Sequence, residues 1–251
     1  MKITRIETIR VGIPYDPNGP RIATRPGLKP KRTVESMMVR VETEDGRSGW
    51  GEGFGHFSNP GTEAILQSLI GPWFIGKDAR GIAPLMEEAQ QQVFSAGRTG
   101  PMFYALSAID IALWDLAGQR AGQPLFRLFG GKDGRIERYA SMVRYGGNTD
   151  AVRNNCLKAA ARGYRAIKLH ENTLAAFMAA RECTDPSGKI MLDVNCCWSV
   201  EEARDVARAL RGKNFHWLEE PVWPPEDFDG IAAVRREGAV AVSAGENMGQ
   251  I

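Results

Sequence analysis

The second half of the sequence alternates short apolar runs with helix-like segments, and this alternation restricts the possible folds more than any other feature. After about residue 131 the apolar runs are RYASMV, RAIKLH, IMLDVN, HWLEEP and AVSAGE. The helix-like segments between them lie at 150–162, 174–183, 200–210 and 229–237. Such alternation predicts βαβ units and a parallel sheet. Gly163 and Gly238 follow two of these helices, where a left-handed C-cap favours glycine.

Polar residues end these strands at nearly regular intervals. Lys168 and Asp193 are 25 residues apart, Asp193 and Glu219 are 26 apart, and Glu219 and Glu246 are 27 apart. One βα unit of a barrel has about this length, since ~250 residues form eight units. We therefore expect these residues at the same level on successive parallel strands. Ligand sites lie at the carboxyl ends of such strands, so one lysine, the nearby His170 and three carboxylates should meet at one mouth.

Three carboxylates at one mouth require a positive partner. Without one they repel each other, and some become protonated at a cost in stability. A single acidic residue at a strand end, such as Asp193, can equally cap the next helix or stay solvated. Three of them in consecutive repeats indicate a bound divalent cation instead. Ligation by oxygen alone favours Mg²⁺ over Zn²⁺.

The first half of the sequence has a different pattern. Apolar and polar residues alternate at 3–11 and 37–42, and after a turn at 44–46 a short run returns through 48–52, as in an antiparallel sheet with a hairpin. From 62 to 120 the apolar period is helical, most clearly at 101–121. Strands followed by helices predict an α+β unit. The segment 15–31, rich in proline, glycine and basic residues, is long for a plain connection and is therefore a candidate functional loop.

Composition excludes several classes of partner. The net charge of +2 arises from 32 basic and 30 acidic residues that are interspersed, which argues against nucleic acid or a membrane surface and favours a small-molecule ligand. The four cysteines have no spacing typical of a zinc site and are expected to be free thiols in a reducing compartment. No run approaches the ~20 apolar residues of a membrane span, so we expect a cytoplasmic protein.

Six segments together resemble the mandelate racemase/muconate lactonising group of the enolase superfamily. They are GWGEGF at 49–54, ALSAIDIALWDLAGQRAGQPLFRLFGG at 105–131, KLH at 168–170, LDVN at 192–195, LEEP at 218–221 and AGEN at 244–247. K-x-H or E-E-P alone is a weak signal, but this order and spacing is specific. The resemblance covers the whole chain. It implies an α+β capping domain at 1–131, a TIM-type (β/α) barrel at 132–251, and a homo-oligomer.

The resemblance also implies roles for individual residues. Asp193, Glu219 and Glu246 resemble the ligands of one Mg²⁺ per active site. Lys168 and His170 match the catalytic pair, which is most often K-x-K with its second member as the base. We expect His170 to be the base and Lys168 to assist the substrate carboxylate; the reverse assignment and a structural role for His170 are the alternatives.

Further polar residues are candidates for contact with substrate. Asn195 resembles the polar neighbour that positions substrate or metal, and Asn247 resembles an outer-shell residue of the site. In the family, two loops of the capping domain close over the barrel mouth, and segment 15–31 and the loop 54–59 resemble them. Their candidate substrate-binding residues are Arg21, Arg25 and His56. For Asn247 the alternative is an ordinary capping or surface role, and for Arg21, Arg25 and His56 it is simple solvation.

The expected reaction is Mg²⁺-dependent abstraction of the α-proton of a carboxylic acid through an enediolate. Dehydration of a sugar acid is our first choice, and racemisation, epimerisation or cycloisomerisation is the alternative within the superfamily. A non-catalytic or truncated relative that retains the fold is the alternative from another class. Five barrel strands precede Ile251, and closing eight units would take about 80 more residues. We therefore expect a barrel truncated after its fifth strand that is not competent alone.

Overall fold

The computed structural model describes residues 1–21, 23, 29–30, 33–132 and 134–247. Their contacts divide them into two compact units. Unit 1 contains Met1–Pro14 and Thr33–Arg135, and unit 2 contains the described residues of Tyr15–Arg32 and of Ile136–Met248. The predicted domains, 1–131 and 132–251, stay a prediction. The contact-based units differ from them in grouping the segment after residue 14 with the second half of the chain.

Unit 1 begins with an antiparallel sheet. Its strands are β1 (Ile3–Pro14), β2 (Thr33–Thr43) and β3 (Ser48–Gly53), in the order β1-β2-β3. The predicted hairpin corresponds to β2 and β3, and β1 pairs with the other edge of β2. Both β1 and β2 are longer than expected, because their pairing continues beyond the predicted runs, through Ile13 opposite Val34 to Pro14 opposite Thr33.

Helices follow this sheet. They are α1 (Asn59–Ile65), α2 (Gly71–Phe74), α3 (Ile82–Val93), α4 (Pro101–Ala121) and α5 (Leu125–Leu128), with a π-helical stretch at Leu66–Ile70 and 3₁₀ turns at His56–Ser58 and Phe94–Ala96. Helix α4 has the predicted bounds. Pro101 occupies its first turn and Gly122 ends it in the left-handed conformation, with φ of 61°. Its buried apolar residues form one core with Met37, Val39 and Val41 of β2.

Strand β3 packs unusually close to α4 because it presents glycines on that face. A Cβ added to Gly49 would lie 2.1 Å from the carbonyl oxygen of Ala112, and one added to Gly51 would lie 2.0 Å from that of Ala108. At Gly53 the added atom would lie 2.4 Å from the Cε atom of Met37. These distances exclude any side chain at the first two positions without a shift of backbone.

Unit 2 is a parallel sheet with helices between its strands. In chain order the elements are β4 (Ala140–Ser141), α6 (Thr149–Ala161), β5 (Ala166–Leu169), α7 (Leu174–Cys183), β6 (Lys189–Asp193), α8 (Val200–Ala209), β7 (Trp217–Glu219), α9 (Phe228–Arg236) and β8 (Val242–Ser243). Within the described residues the sheet has five strands, all parallel, in the order β4-β5-β6-β7-β8. This is part of a β/α barrel, as predicted.

The core of unit 2 lies between the sheet and its helices. Ile167, Leu169, Ile190, Leu192 and Leu218 of the strands pack with apolar residues of the helices, including Val152, Phe177 and Val234. Residues that alternate with them along the strands, such as Lys168 and Asp193, face the opposite side of the sheet. In the described part of the chain, no helix is long and apolar enough to span a membrane.

Candidate active site

The register of the parallel strands sets the level of each candidate residue. Asp193 pairs directly with Glu219, so these two carboxylates are level, as expected. Lys168 pairs with Met191, so it lies two residues below Asp193 along the strand direction. The register continues through Leu169 opposite Leu192, and one further step brings His170 level with Asp193. Glu246 lies three residues beyond Ser243, the partner of Glu219. The expectation of one common level was therefore wrong for Lys168 and Glu246, because residue spacing includes loops of unequal length.

Lys168 bridges two of the three carboxylates. Its Nζ atom lies 2.7 Å from Oε1 of Glu219 and 2.8 Å from Oδ2 of Asp193, and the side chain is buried. Burial lowers the pKa of Lys168, but the two carboxylates outweigh burial and hold the pKa above that of a free lysine. Lys168 is therefore a fixed positive charge between Asp193 and Glu219.

His170 is held by the backbone of Met142, the residue that follows β4. Its Nδ1 atom lies 2.5 Å from the carbonyl oxygen of Met142, and because a carbonyl only accepts, Nδ1 carries the proton. Its Nε2 atom lies 3.3 Å from Oδ2 of Asp193. Burial lowers the pKa of His170, but Asp193 and the Met142 carbonyl outweigh burial and raise the pKa overall. The imidazole thus presents Nε2 to the mouth of the sheet.

Asp193, Glu219 and Glu246 can converge on one cation. Each offers a carboxylate oxygen, and these oxygens lie within 4.8 Å of one another. Oδ2 of Asp193 is buried and, although Lys168 and His170 are near, it has no well-aligned hydrogen bond. Burial raises the pKa of Asp193, but the contacts from His170 and Lys168 outweigh it and keep that pKa below its usual range. An oxygen-only set with one under-satisfied anion fits Mg²⁺.

The other described candidates contact these carboxylates or their neighbours. Asn195, with φ of 49°, donates from its backbone N and from Nδ2 to Oδ1 of Asp193, both at 3.0 Å. Asn247 Nδ2 donates to both carboxylate oxygens of Glu220 at 2.8 and 2.9 Å. Asn195 therefore orients Asp193, one of the three carboxylates, and Asn247 orients the neighbouring Glu220.

The proposed loop residues are only partly described. Arg21 donates from Nη1 to the backbone oxygen of Tyr15 at 2.8 Å. Arg25 and the side chain of His56 lie outside the described residues. Within unit 2, the segment with Arg21 is tied to α6, because Asn155 Nδ2 donates to the backbone oxygen of Asn18 at 3.0 Å.

Sequence reasoning missed three participants. Trp217 Nε1 donates to Oε2 of Glu219 at 2.8 Å, and a tryptophan two residues before a strand-end acid was the available signal. The carbonyl of Met142 and the buried carboxylate of Glu171 organise the strand ends beside His170. A backbone carbonyl has no residue-type signal, and Glu171 adjoins the K-x-H pair without belonging to it.

Two family models match the chain, one over its first half and the other over its second half. Residues 22–130 match the model described as the mandelate racemase/muconate lactonizing enzyme N-terminal domain, and residues 151–251 match the enolase C-terminal domain-like model. The chain belongs to the mandelate racemase/muconate lactonizing enzyme family of the enolase superfamily. The carboxylates and the K-x-H pair lie within the second match, and the glycines of β3 lie within the first.

Relatives within this family differ in reaction. A 3,6-anhydro-alpha-L-galactonate cycloisomerase of Streptomyces coelicolor is 34% identical over 85% of this chain and 61% of its own length. An arabinonate dehydratase of Saccharolobus solfataricus is 25% identical over 75% of this chain and 53% of its own length. The crystal structure of a racemase from Streptomyces coelicolor A3(2) with bound magnesium is 31% identical, has a TM-score of 0.85, and is matched over 98% of this chain and 69% of that chain. The chain thus spans less than two thirds of the two curated relatives.

Proposed function

We propose that this chain carries the metal-binding and proton-abstracting residues of an enzyme that removes the α-proton of a sugar acid and expels its β-hydroxyl group as water. The observation that carries the proposal is the convergence of Lys168, His170 and the three carboxylates at one edge of the parallel sheet. The relatives that act on anhydro-galactonate and arabinonate support a hydroxylated carboxylate as the substrate class.

His170 is the proposed base. Its Nδ1 proton is committed to the Met142 carbonyl, so proton transfer occurs at Nε2. Lys168 keeps its ammonium charge through two carboxylate contacts, which suits it to attract a substrate carboxylate and not to remove a proton. Loss of the α-proton produces an enediolate, and the fixed positive charge of Lys168 stabilises this developing negative charge.

Asp193, Glu219 and Glu246 would hold one Mg²⁺ ion. When bound, the ion would supply Lewis-acid stabilisation for the negative charge on the substrate carboxylate. Asn195 keeps Asp193 oriented by donating two hydrogen bonds to it. Trp217 keeps Glu219 oriented by donating one. Arg21, Arg25, His56 and Asn247 are proposed to select the substrate.

Exchange of the substrate α-proton tests the proposal. A panel of sugar acids is incubated in deuterated water with Mg²⁺ and an active protein that contains this chain, and incorporation of deuterium is followed by mass spectrometry. We expect His170→Asn to lower the exchange rate by at least about 100-fold, the lower range of general-base contributions. His216→Asn is the matched control, because His216 is exposed and lies in the same unit. Full exchange in His170→Asn would refute the role of His170.

Cycloisomerisation is the second candidate reaction, favoured by the similarity to the anhydro-galactonate enzyme. Both reactions begin with α-proton abstraction and differ in the group that leaves the β-carbon. The product mass separates them: dehydration removes one water molecule, whereas cycloisomerisation leaves the mass unchanged.

A further inference from the structure

Glu171 is a buried carboxylate beside the proposed base, and the proposed reaction gives it no role. The residue is 1% exposed. Among the described residues, its carboxylate is bound by two backbone groups and forms no ion pair: it accepts from the N–H of Tyr145 and, at 2.7 Å, from the N–H of Gly147. A buried charge held only by backbone donors is costly to keep, so a specific reason for a carboxylate at this position is required.

The two donors belong to the segment that follows the Met142 carbonyl. Met142 is fixed on one side, because its N–H donates to the oxygen of Lys168 at 2.8 Å. On the other side the chain runs through two residues to Tyr145 and turns through Gly146 and Gly147, whose φ values are 67° and 79°. Glu171 holds this turn in place. It therefore fixes the position of the segment after Met142, and with it the direction of the Met142 carbonyl.

We propose that Glu171 is a positioning residue for His170. By holding Tyr145 and Gly147 it keeps the Met142 carbonyl against Nδ1, which keeps the Nδ1–H tautomer and directs Nε2 toward the carboxylates. A carboxylate suits this task because both of its oxygens accept, whereas a glutamine amide would turn a donor toward one of the two N–H groups. The inference rests on the proposed role of His170 as base.

The tautomer of His170 provides the test, without reference to activity. The chain has three histidines, so long-range ¹H–¹⁵N spectra resolve them, and the signal lost in His170→Asn identifies His170. At a pH where the imidazole is neutral, we expect the Nδ1–H form to dominate in the natural protein. Glu171→Gln should lower the ratio of Nδ1–H to Nε2–H forms by roughly fivefold, the effect of loosening one hydrogen bond. Glu171→Asp, which keeps both acceptor oxygens, should restore part of that ratio.

Glu182→Gln is the matched control, because Glu182 is an exposed carboxylate of the same unit that pairs with Arg153 at 2.8 Å. It should leave the ratio unchanged. An unchanged ratio in a folded Glu171→Gln protein overturns the proposal. In that case proton exchange could still depend on His170, so failure of this inference is distinguishable from failure of the proposed function.

The natural protein gives a second measurement if Glu171→Gln does not fold. The amide protons of Tyr145 and Gly147 should exchange with solvent at least about 10-fold more slowly than that of Gly146, whose N–H has no described acceptor. Equal exchange at the three amides would show that Glu171 does not hold the turn, and would overturn the proposal.

Discussion

Gly51 occupies a position where the space available is smaller than one methyl group. The nearest atom to an added Cβ is the carbonyl oxygen of Ala108 at 2.0 Å, which belongs to the backbone of α4 and cannot rotate away. We expect Gly51→Ala to lower the free energy of unfolding by about 3 kcal/mol or more, at the upper end of overpacking effects. Chemical denaturation followed by circular dichroism measures this change.

Gly12→Ala is the matched control. Gly12 also lies within a strand, but an added Cβ has nothing within 4 Å. Its effect should stay within about 1 kcal/mol. Equal losses at both positions would mean that general strand propensity, and not the approach of α4, explains the requirement for glycine.

The sequence pattern predicted that Asp193, Glu219 and Glu246 lie near one another, but it did not predict every residue that supports the site. Asp193 and Glu219 end their strands and Glu246 follows β8 by three residues, and their regular spacing can be read from the sequence without knowing where the side chains point. Trp217 and Glu171 could not be assigned in this way, because their roles depend on which rotamer and which loop path the fold selects. Burial of Glu171 beside a left-handed Gly-Gly turn is a property of the folded chain alone.

At the scale of elements, each helix of unit 2 begins with a side-chain cap. Asn148, Thr173, Ser199 and Asp227 accept hydrogen bonds from the first turns of α6, α7, α8 and α9. The predicted helix bounds agree with the structure within two residues at each end, and these caps stabilise the N-terminal ends. The π-helical stretch at Leu66–Ile70 was not predicted, since its apolar period resembles that of an α-helix.

The capping box of α8 makes its stability depend on pH. The backbone N and Oγ of Ser199 each donate to Oε2 of Glu202 at 2.8 Å, and these bonds hold the pKa of Glu202 below its usual value of 4.5. A lowered pKa stabilises the folded state above that value, and the benefit is lost as the pH falls through the folded pKa. We expect the stability difference between the natural protein and Glu202→Ala to be largest near neutral pH and to shrink below about pH 4.

Denaturation at several pH values measures that difference. Glu201→Ala is the control, because Glu201 lies in the same first turn but is not part of the capping box. If the two substitutions show the same dependence on pH, general attraction to the helix N-terminus explains the effect, and the specific bonds from Ser199 do not.

At the scale of the whole molecule, the buried apolar residues form two separate clusters, one in each unit. The proposed Mg²⁺ ligands all lie in unit 2. Binding stabilises the state that binds, by about 2.7 kcal/mol at 100 times the dissociation constant. We expect Mg²⁺ at that excess to slow amide exchange in β5, β6 and β7 by up to about 100-fold and to leave α4 unchanged.

Two variants sharpen this measurement by hydrogen exchange. Glu219→Gln should abolish the effect of Mg²⁺, whereas Glu87→Gln, an exposed carboxylate of unit 1, should preserve it. Persistent slowing in Glu219→Gln would exclude Glu219 as a ligand. Slowing in α4 equal to that in β6 would show that the two cores open together.

The architecture itself was predictable to a large extent. Alternating apolar runs and helices predicted the parallel strands of unit 2, and the change of period near residue 131 predicted two parts. Strand register was not predictable, because Lys168 and Glu246 are separated from Asp193 and Glu219 by loops whose lengths the spacing hides. The contact of Asn18 with α6 was also not predictable, since it depends on two side chains of that helix, Asn155 and Lys158.

The close contact between β3 and α4 also restricts how the sequence of this protein can drift over generations. Gly49 and Gly51 cannot gain a side chain while α4 stays in place, so we expect selection to act against substitution at either position. Apolar residues of the surrounding core can exchange for others of similar volume. We therefore expect homologous chains to differ at most positions of that core and still keep G-x-G in β3, because the distance between β3 and α4 leaves no room for a side chain there.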